Sequence, residues 1–394
     1  MSTERQLFYQ YVAQTSPSPV GLLIEKAIGV YLFDPEGNKY LDLISGIAVS
    51  NLGHQHPAIL SAIREQLDKH MHVMVYGEFI QSPQVRLATE LAQHLPDELS
   101  NVYFTNSGAE AVEGAMKLAK RYTGKSRFVS FRNAYHGSTQ GALSVCGNES
   151  LKSAFRPLLP GCSMAEFNDF RSLTLIDDQC AGVIVEAIQG EAGVILPEPE
   201  FLIRLQERCN ESGALLILDE IQTGMGRTGK LFAMEHFGIV PDVLLLGKSF
   251  GGGLPLAAFI ARKQVMSSLT TDPVLGHIST FGGHPLSCAA ALASLREIAV
   301  PELLDKVSRQ GKLFMSLLKH PDIRSIRGLG LFIALEFENE KINQEVIKRC
   351  LAKGVITDWF LFAPNCLRIA PPLIISDDEI KFACNTILEA LNSL

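Results

Sequence analysis

Short apolar segments alternate with helix-forming segments between residues 101 and 248. Five of them have the length and side chains of buried strands: NVYFTNSG (101–108), RFVSF (127–131), AGVIVEA (181–187), ALLILDE (214–220) and DVLLLGK (242–248). Two helix-forming segments lie among them, AEAVEGAMKLAKRYTG after the first strand and EFLIRLQERCNESG (200–213) before the fourth. Short apolar strands separated by helices favour a mostly parallel sheet with helices on both faces. The sequence therefore predicts an α/β fold with a doubly wound sheet.

The pattern changes after about residue 287. SCAAALASLREIAV reads as a helix of small residues, Pro301 begins another helix, and SDDE (376–379) is a capping box for the last one. SIRGLGLFIALEF and CLRIAPPLII have the pattern of strands. We therefore expect a large domain over residues 55–287. A smaller α+β domain is expected from the two chain ends, residues 1–54 and 288–394.

Charge and composition narrow the class of partner. The 394-residue chain has a net charge of −7 and no Lys/Arg cluster, which argues against nucleic-acid binding and favours a small-molecule partner. The eight cysteines lie far apart and are expected to be reduced thiols. No apolar run approaches the roughly 18 residues of a membrane span, and the first residues lack the apolar core of a signal peptide. The sequence thus predicts a cytoplasmic protein without a membrane contact.

Three of the predicted strands end on an ionisable side chain, namely Glu186, Asp219 and Lys248. In open parallel sheets ligands bind beyond the carboxyl ends of the strands, so we expect these three groups to converge on one site. A lysine in apolar surroundings loses its charge readily, and the neutral amine is a nucleophile for carbonyl groups. Lys248 is therefore a candidate for carrying a covalent cofactor.

Three other motifs have alternative interpretations that the surrounding residues disfavour. GMGRTG (224–229) matches a dinucleotide-binding pattern, but polar residues separate it from the strand and no long helix follows. GKS (247–249) could end a phosphate loop, yet Asp242 stands where the first glycine is required. The histidines of GHQHP (53–57) and HMH (70–72) lack cysteine or carboxylate partners at metal-binding spacing, so no metal is expected.

A helix start after the first strand offers a place for an anion. Ser107, Gly108 and Ala109 open this helix, where free backbone N–H groups and the positive end of the helix dipole attract a phosphate. Taken alone, the segment could equally be an ordinary glycine turn. Together with Lys248 and Asp219 it indicates pyridoxal 5′-phosphate, which forms a Schiff base with a lysine and needs an acidic partner for its ring nitrogen.

Several longer motifs point in the same direction. They are FTNSGAEAVEGAMKLAKRYTGK, AYHGST, VIVEAIQGEAGV, LLILDEIQTGMGRTG, PDVLLLGKSFGGGLP, STFGGHPLSC and LRIAPPL. In this order they resemble the class III pyridoxal-phosphate-dependent aminotransferases, nearest to the acetylornithine and ornithine aminotransferases. The resemblance extends from about Gly37 to Ile375. It implies fold type I and a homodimer whose active sites lie at the subunit interface.

The resemblance also implies roles around the cofactor. Lys248 matches the lysine that forms the Schiff base and moves the α-proton, and Asp219 matches the partner of the pyridine nitrogen. The remaining cofactor-binding residues are then Gln222 at the 3′-oxygen, Tyr135 over the ring face, Ser107, Gly108 and Ala109 at the phosphate with Thr280 of the other subunit, and Glu186 at its strand end. Gly251, Gly252 and Gly253 are expected to avoid crowding the cofactor.

The substrate-binding positions carry one departure from the family pattern. Arg368 in LRIAPPL resembles the arginine that binds the α-carboxylate of glutamate and 2-oxoglutarate, for which a guanidinium is suited. Glu191 in QGEAG matches the glutamate that pairs with this arginine while an amine donor is bound. The family usually has an arginine for the distal carboxylate of the donor where this chain has Ser138. The less favoured alternative for Arg368 and Glu191 is an ion pair at the surface.

The implied reaction transfers an ω-amino group from an N-acetylornithine-like or ornithine-like donor to 2-oxoglutarate, giving a semialdehyde and glutamate. Because Ser138 removes a charge, another donor such as 4-aminobutyrate, lysine or a diamine stays open. Two further alternatives belong to other classes: an aminomutase or decarboxylase on the same cofactor fold, and a nucleotide-binding oxidoreductase that would use GMGRTG.

Overall fold

The computed structural model describes residues 3–394 and contains three separate sheets. The strands β1 to β15 are Lys26–Ile28, Tyr31–Phe33, Lys39–Asp42, Asn101–Thr105, Arg127–Phe131, Cys162–Ala165, Cys180–Glu186, Leu215–Asp219, Val243–Leu246, Ala257–Ala261, Ser325–Leu329, Phe332–Glu336, Val355–Ile356, Asp358–Phe360 and Ala363–Ile369. The helical segments α1 to α13 are Glu4–Tyr11, Ser45–Ala48, Pro57–Leu67, Ser82–Gln93, Gly108–Thr123, Gln140–Val145, Glu149–Lys152, Phe201–Ser212, Lys263–Met266, Pro285–Ile298, Pro301–Leu317, Glu340–Ala352 and Asp377–Asn392. The second of these is a left-handed turn, because Gly46 and Ile47 have φ near +60°.

The largest sheet has seven strands in the order β4-β10-β9-β8-β7-β5-β6. All neighbours in it are parallel except β10, which runs antiparallel to both β4 and β9. Its five predicted strands lie within three residues of the expected bounds. The prediction of an α/β fold with a mostly parallel doubly wound sheet is confirmed.

Apolar side chains cover both faces of this sheet. In β8, Leu216 and Leu218 pack into one core cluster, while Leu215 and Ile217 pack into the cluster on the opposite face. Helix α5 contributes Val112 to the second cluster, because its buried residues recur at helical spacing. A sheet buried on both faces leaves its strand ends as the accessible places for polar side chains.

The two chain ends build the smaller sheets together. Strand β13 pairs in parallel with β3, so the N-terminal hairpin is completed by a strand from the C-terminal part. The third sheet, β11-β12-β15-β14, is antiparallel. The expected capping box is present at the start of α13, where Ser376 accepts from the Glu379 N–H group and the Glu379 side chain accepts from Ser376.

The domain boundaries remain a proposal. The predicted break at 287/288 falls inside α10, whose buried residues Cys288, Leu295 and Ile298 belong to the same core cluster as the large sheet. A separate cluster joins Leu41 of the N-terminal part to residues of α11, α12 and α13. We therefore propose that the large unit extends to about the end of α10.

The GMGRTG segment forms turns in which the Arg227 guanidinium is fully buried. It donates hydrogen bonds to the Leu331 and Pro371 carbonyl oxygens, to the Ser45 hydroxyl and to the Asn51 side chain. The segment thus ties the large sheet to both chain ends. Within residues 3–394, no helix is both long enough and apolar enough to cross a bilayer.

Candidate active site

A cavity of about 330 Å³ lies beyond the carboxyl ends of the parallel strands. Its lining residues come from five regions of the chain: Gly108 and Ala109; Tyr135 to Ser138; Glu186; Asp219 with Ile221, Gln222 and Thr223; and Lys248. The three side chains that end predicted strands therefore line one cavity. The parallel register explains this convergence, because Glu186 of β7 lies directly opposite Asp219 of β8.

Lys248 follows β9 by two residues and has a backbone φ of +49°. A lysine in this left-handed conformation is uncommon, and such strain is often found at functional sites. Burial lowers the pKa of its amine to about 8, with the Glu191 carboxylate opposing and the Arg368 guanidinium reinforcing this effect. A substantial fraction of the amine is therefore neutral near physiological pH and can act as a nucleophile or a base.

Asp219 is held from two sides. Its Oδ2 atom lies 2.7 Å from Nδ1 of the buried His136, and its Oδ1 atom accepts from the Ile221 N–H group at 3.0 Å. Both side chains are nearly inaccessible to solvent. The carboxylate is thus fixed at the base of the cavity, where it can hold a cationic ring nitrogen.

Glu186 accepts hydrogen bonds from the backbone N–H groups of Tyr135 and Gly190, at 3.0 and 2.8 Å. Burial raises the pKa of its carboxyl to about 7, with Asp219 adding to this shift and His136 and the two N–H groups opposing it. Glu186, at the end of β7, thereby joins the loops of Tyr135 and Gly190.

The start of helix α5 forms another wall of the cavity. Ser107 is the N-cap residue and accepts from the Glu110 N–H group at 3.2 Å, whereas Gly108 and Ala109 line the cavity. A Cβ atom on Gly108 would lie 2.8 Å from Cδ1 of Ile221, so a larger residue here would require the Ile221 side chain to shift. The first N–H groups of a helix lack intrahelical acceptors and favour an anion.

The side chains around the cavity fit pyridoxal phosphate. His136 Nε2, Gln222 Nε2 and Thr223 Oγ1 are buried, border the cavity and have no hydrogen-bond partner among residues 3–394. Buried polar atoms normally have partners, so these atoms are suited to a polar ligand. Tyr135 lines the same space, and its hydroxyl lies 3.1 Å from the Ser138 hydroxyl.

Arg368 and Glu191 form a buried bidentate ion pair, not a surface pair. The Nη1 and Nη2 atoms lie 2.9 and 3.0 Å from the two Glu191 oxygens, and the residues are 1% and 4% exposed. Burial raises the pKa of Glu191, but Arg368 and the Leu361 N–H group outweigh it, so the pKa lies below its ordinary value. Asp358 accepts from Arg368 Nε at 2.8 Å. Although neither Arg368 nor Glu191 lines the cavity itself, both influence the pKa of Lys248.

Two sequence expectations concern residues that do not line the cavity of the single chain. Thr280 is exposed and does not line the cavity of its own chain, so its predicted cofactor contact requires another subunit. The glycines after Lys248 do not simply leave space for a cofactor. Gly252 and Gly253 have φ of +61° and +95°, and a Cβ atom on Gly252 would lie 2.8 Å from the Ala290 carbonyl oxygen. They are needed by the backbone and by packing against α10.

Sequence reasoning assigned no role to His136, Thr223 or Asp358. His136 lies within the AYHGST motif, directly after Tyr135, the one residue of this motif that is expected to contact the cofactor ring. Thr223 follows Gln222 directly. Asp358 gives no comparable signal, because its proximity to Arg368 arises from the pairing of β14 with β15.

Comparison with known proteins agrees with this geometry. A family model described as "Aminotransferase class-III" matches residues 11–391. An acetylornithine aminotransferase of Aquifex aeolicus is 42% identical over 370 residues, which cover 92% of this chain and 95% of that protein. A putrescine aminotransferase of Pectobacterium atrosepticum is 39% identical, with coverage of 88% and 77%.

Solved structures share the fold along the whole chain. The ornithine aminotransferase of Toxoplasma gondii superposes with a TM-score of 0.92 at 33% identity, covering 100% of this chain and 96% of that one. An omega transaminase of Pseudomonas jessenii in complex with PMP has a TM-score of 0.92 at 25% identity, with coverage of 100% and 98%. The predictions of fold type I and of a transaminase are confirmed. This chain belongs to the class III aminotransferases, a family of pyridoxal-phosphate-dependent enzymes.

Proposed function

We propose that this aminotransferase moves the ω-amino group of an N-acetylornithine-like or ornithine-like donor to 2-oxoglutarate, giving a semialdehyde and glutamate. The observation that carries this proposal is the buried Arg368–Glu191 ion pair near Lys248. An enzyme with two unlike substrates needs a site whose arginine binds a substrate carboxylate in one half-reaction. In the other half-reaction this arginine must be paired with a carboxylate of the protein. A guanidinium with an exchangeable carboxylate partner meets both requirements.

The cofactor proposal rests on the polar groups around the cavity. Lys248 would carry pyridoxal phosphate, Asp219 would hold the ring nitrogen, and Gln222 would meet the 3′-oxygen. Ser107, Gly108 and Ala109 would form the phosphate site. When bound, the cofactor supplies a conjugated system that accepts the electron pair left by proton removal.

Lys248 is also proposed as the group that moves the substrate proton. Its amine has a pKa of about 8 because of burial, which is near the operating pH that favours acid–base catalysis. Asp219, kept in place by His136, would keep the ring nitrogen positively charged. Glu186 would hold the loops of Tyr135 and Gly190 against this site through its two backbone hydrogen bonds.

Acceptor binding is proposed to exchange one carboxylate for another. With an amine donor present, Glu191 would remain on Arg368 and keep the buried guanidinium neutralised. With 2-oxoglutarate or glutamate, the α-carboxylate of the substrate would replace Glu191. Release of Glu191 would deprive Nη1 and Nη2 of Arg368 and the Leu361 N–H group of this acceptor, which links its release to arrival of the substrate carboxylate.

The donor is the less constrained part of the proposal. The acetylornithine aminotransferase relatives favour an ornithine-type donor, but Ser138 offers a hydroxyl where the family pattern has an arginine. The putrescine aminotransferase relative favours keeping diamines, 4-aminobutyrate and lysine as alternatives. An aminomutase on the same fold would not form glutamate from 2-oxoglutarate.

A homodimer in the cytoplasm completes the proposal. Thr280 is exposed in a segment that also exposes Ile278 and Phe281, each by about half. Exposed apolar side chains beside a residue expected at another subunit's phosphate are consistent with a subunit interface.

The proposal is tested with a panel of amino donors and 2-oxoglutarate as acceptor, following glutamate by mass spectrometry. We expect glutamate with N-acetylornithine or ornithine. If glutamate forms only with a diamine or 4-aminobutyrate, that amine replaces the proposed donor. If no amine gives glutamate, the proposed acceptor is wrong.

A further inference from the structure

Strand β14 surrounds the Arg368 guanidinium on the sides that Glu191 leaves free. Asp358 Oδ1 accepts from Nε at 2.8 Å, and the Trp359 carbonyl oxygen accepts from Nη2 at 2.9 Å. The Phe360 ring centre lies 4.4 Å from the guanidinium carbon, in the range of a cation–π contact. Three consecutive residues therefore contact one arginine.

The strand pairing explains this arrangement. Asp358 lies directly opposite Arg368 in the antiparallel β14–β15 ladder, where side chains of paired residues are neighbours. Phe360 follows two residues later and so faces the same side of the strand. The register shifts between Trp359 and Phe360, which brings Phe360 opposite Ala363. These contacts belong to the sheet itself and do not depend on a loop.

Glu191 contacts the guanidinium differently. It comes from the segment after β7 and binds through both its carboxylate oxygens to Nη1 and Nη2. Its Oε2 atom also accepts from the Leu361 N–H group at 3.0 Å. A carboxylate that took the place of Glu191 would find these same three donors, two on Arg368 and one on Leu361.

We propose that Asp358, Trp359 and Phe360 are positioning residues that keep the Arg368 guanidinium oriented when Glu191 is displaced by a substrate carboxylate. This inference rests on the proposed exchange at Arg368. Because Asp358 binds Nε, it leaves Nη1 and Nη2 directed at the exchange position. Asp358 would also keep its hydrogen bond to Nε while Glu191 moves.

Carboxylate binding without chemistry provides the test. Glutarate is a dicarboxylate without a transferable group, so its binding can be measured by isothermal titration calorimetry in the absence of any reaction. Glutarate would be titrated into the cofactor-loaded enzyme and into its variants. Stopped-flow half-reactions with 2-oxoglutarate, ornithine and putrescine would then separate affinity from limiting rate.

Asp358→Leu removes the acceptor for Nε at similar volume, and Asp358→Asn retains an acceptor oxygen. For Asp358→Leu we expect the glutarate Kd and the 2-oxoglutarate KM to rise about tenfold, because a charge-assisted bond no longer orients the guanidinium. The limiting rate and the amine half-reaction should change by less than about twofold, since Glu191 itself then holds Arg368. Asp358→Asn should remain within about threefold of the parent Kd.

If Asp358→Leu does not fold, Asp358→Ser takes its place in the test. The serine hydroxyl is too short to reach Nε, so the same rise in the glutarate Kd and the 2-oxoglutarate KM is expected. Any one of three results would overturn the inference. The first is an equal loss of activity in both half-reactions, and the second is an unchanged glutarate Kd in Asp358→Leu and Asp358→Ser. The third is a loss of glutarate affinity in Asp358→Asn as large as in Asp358→Leu. Arg368→Lys distinguishes failure of the proposed exchange at Arg368 from failure of the role of Asp358. If it leaves glutarate binding unchanged, the proposed exchange at Arg368 fails; if it weakens binding while Asp358→Leu does not, only the role of Asp358 fails.

Discussion

The His136 imidazole lies against the Asp219 carboxylate, with 2.7 Å between Nδ1 and Oδ2 and with both side chains buried. This contact fixes the carboxylate at the base of a cavity where the other ring nitrogen of His136 has no partner among residues 3–394. A buried carboxylate held in this way can keep a pyridine nitrogen protonated.

Asp219→Asn preserves the size of the side chain and removes its charge. We expect cofactor to remain bound while the half-reaction with an amine slows ~100-fold, since each ~1.4 kcal/mol of lost transition-state stabilisation is a factor of ten in rate. Single-turnover absorbance changes give this rate. His136→Phe should cause a smaller loss, because it removes only the support of Asp219. A near-parental rate in Asp219→Asn would show that Asp219 has a structural role alone.

Lys248 should capture added pyridoxal phosphate in a pH-dependent way. A pKa of about 8 leaves about 10% of the amine neutral at pH 7, compared with roughly 0.03% for an ordinary lysine. In the cofactor-free protein the capture rate should therefore rise between pH 7 and 9 and then level off. After borohydride treatment, mass spectrometry should locate the adduct on Lys248. Lys248→Ala should lose the adduct and turnover, whereas the exposed-site variant Lys263→Ala should keep both; a flat pH profile would contradict the low pKa.

Arg368→Lys retains the charge but loses the two-pronged contact. We expect the KM for 2-oxoglutarate to rise ~10- to 100-fold, because a bidentate charge-assisted contact is replaced by a point charge. Rates with amines that have no carboxylate should change little. Arg324→Lys, at an exposed ion pair with Glu338 next to the same sheet, is the matched control and should leave this KM near its parental value. The acceptor assignment is wrong if both variants behave alike.

Ser138→Arg restores the charge that the family pattern has at this position. Ser138 lines the cavity, so an arginine there should favour donors with a distal carboxylate. We expect the ratio of kcat/KM for ornithine over putrescine to rise about tenfold. Ser138→Ala controls for loss of the contact with Tyr135 and should leave the ratio unchanged. An unchanged or lower ratio in Ser138→Arg would mean that another residue already binds the carboxylate.

Glu186→Gln should alter the pH dependence of stability in the cofactor-free protein. Because burial raises the folded-state pKa of Glu186 to about 7 from 4.5, its ionisation destabilises the fold as pH rises through this interval. Relative to the parent, the free energy of unfolding of Glu186→Gln should therefore increase from pH 5 to pH 8 by at most about 3 kcal/mol. Urea titrations of both proteins at pH 5 and pH 8 measure this difference in the free energy of unfolding. The exposed Glu297→Gln should show no such gain, and a constant difference for Glu186→Gln would refute the raised pKa.

The sequence by itself predicted the sheet and the three strand-end residues that line one cavity. Strand periodicity and the β–α alternation are local properties of the chain, and a strand-end rule was enough to bring Glu186, Asp219 and Lys248 to one cavity. The positions of Gln222, Tyr135, Arg368 and Glu191 needed the family resemblance, because a single polar residue on a strand or loop gives no periodic signal.

Only the tertiary structure decided which side chains meet. Asp358 and Arg368 are brought together by strand register, and His136 and Asp219 by the packing of the loop after β5 against the end of β8. Such contacts depend on long-range pairing, whose geometry no local pattern encodes. The structure also assigned Gly252 to packing against α10, because the space available to a Cβ atom is set by the neighbouring helix and not by the sequence around the glycine.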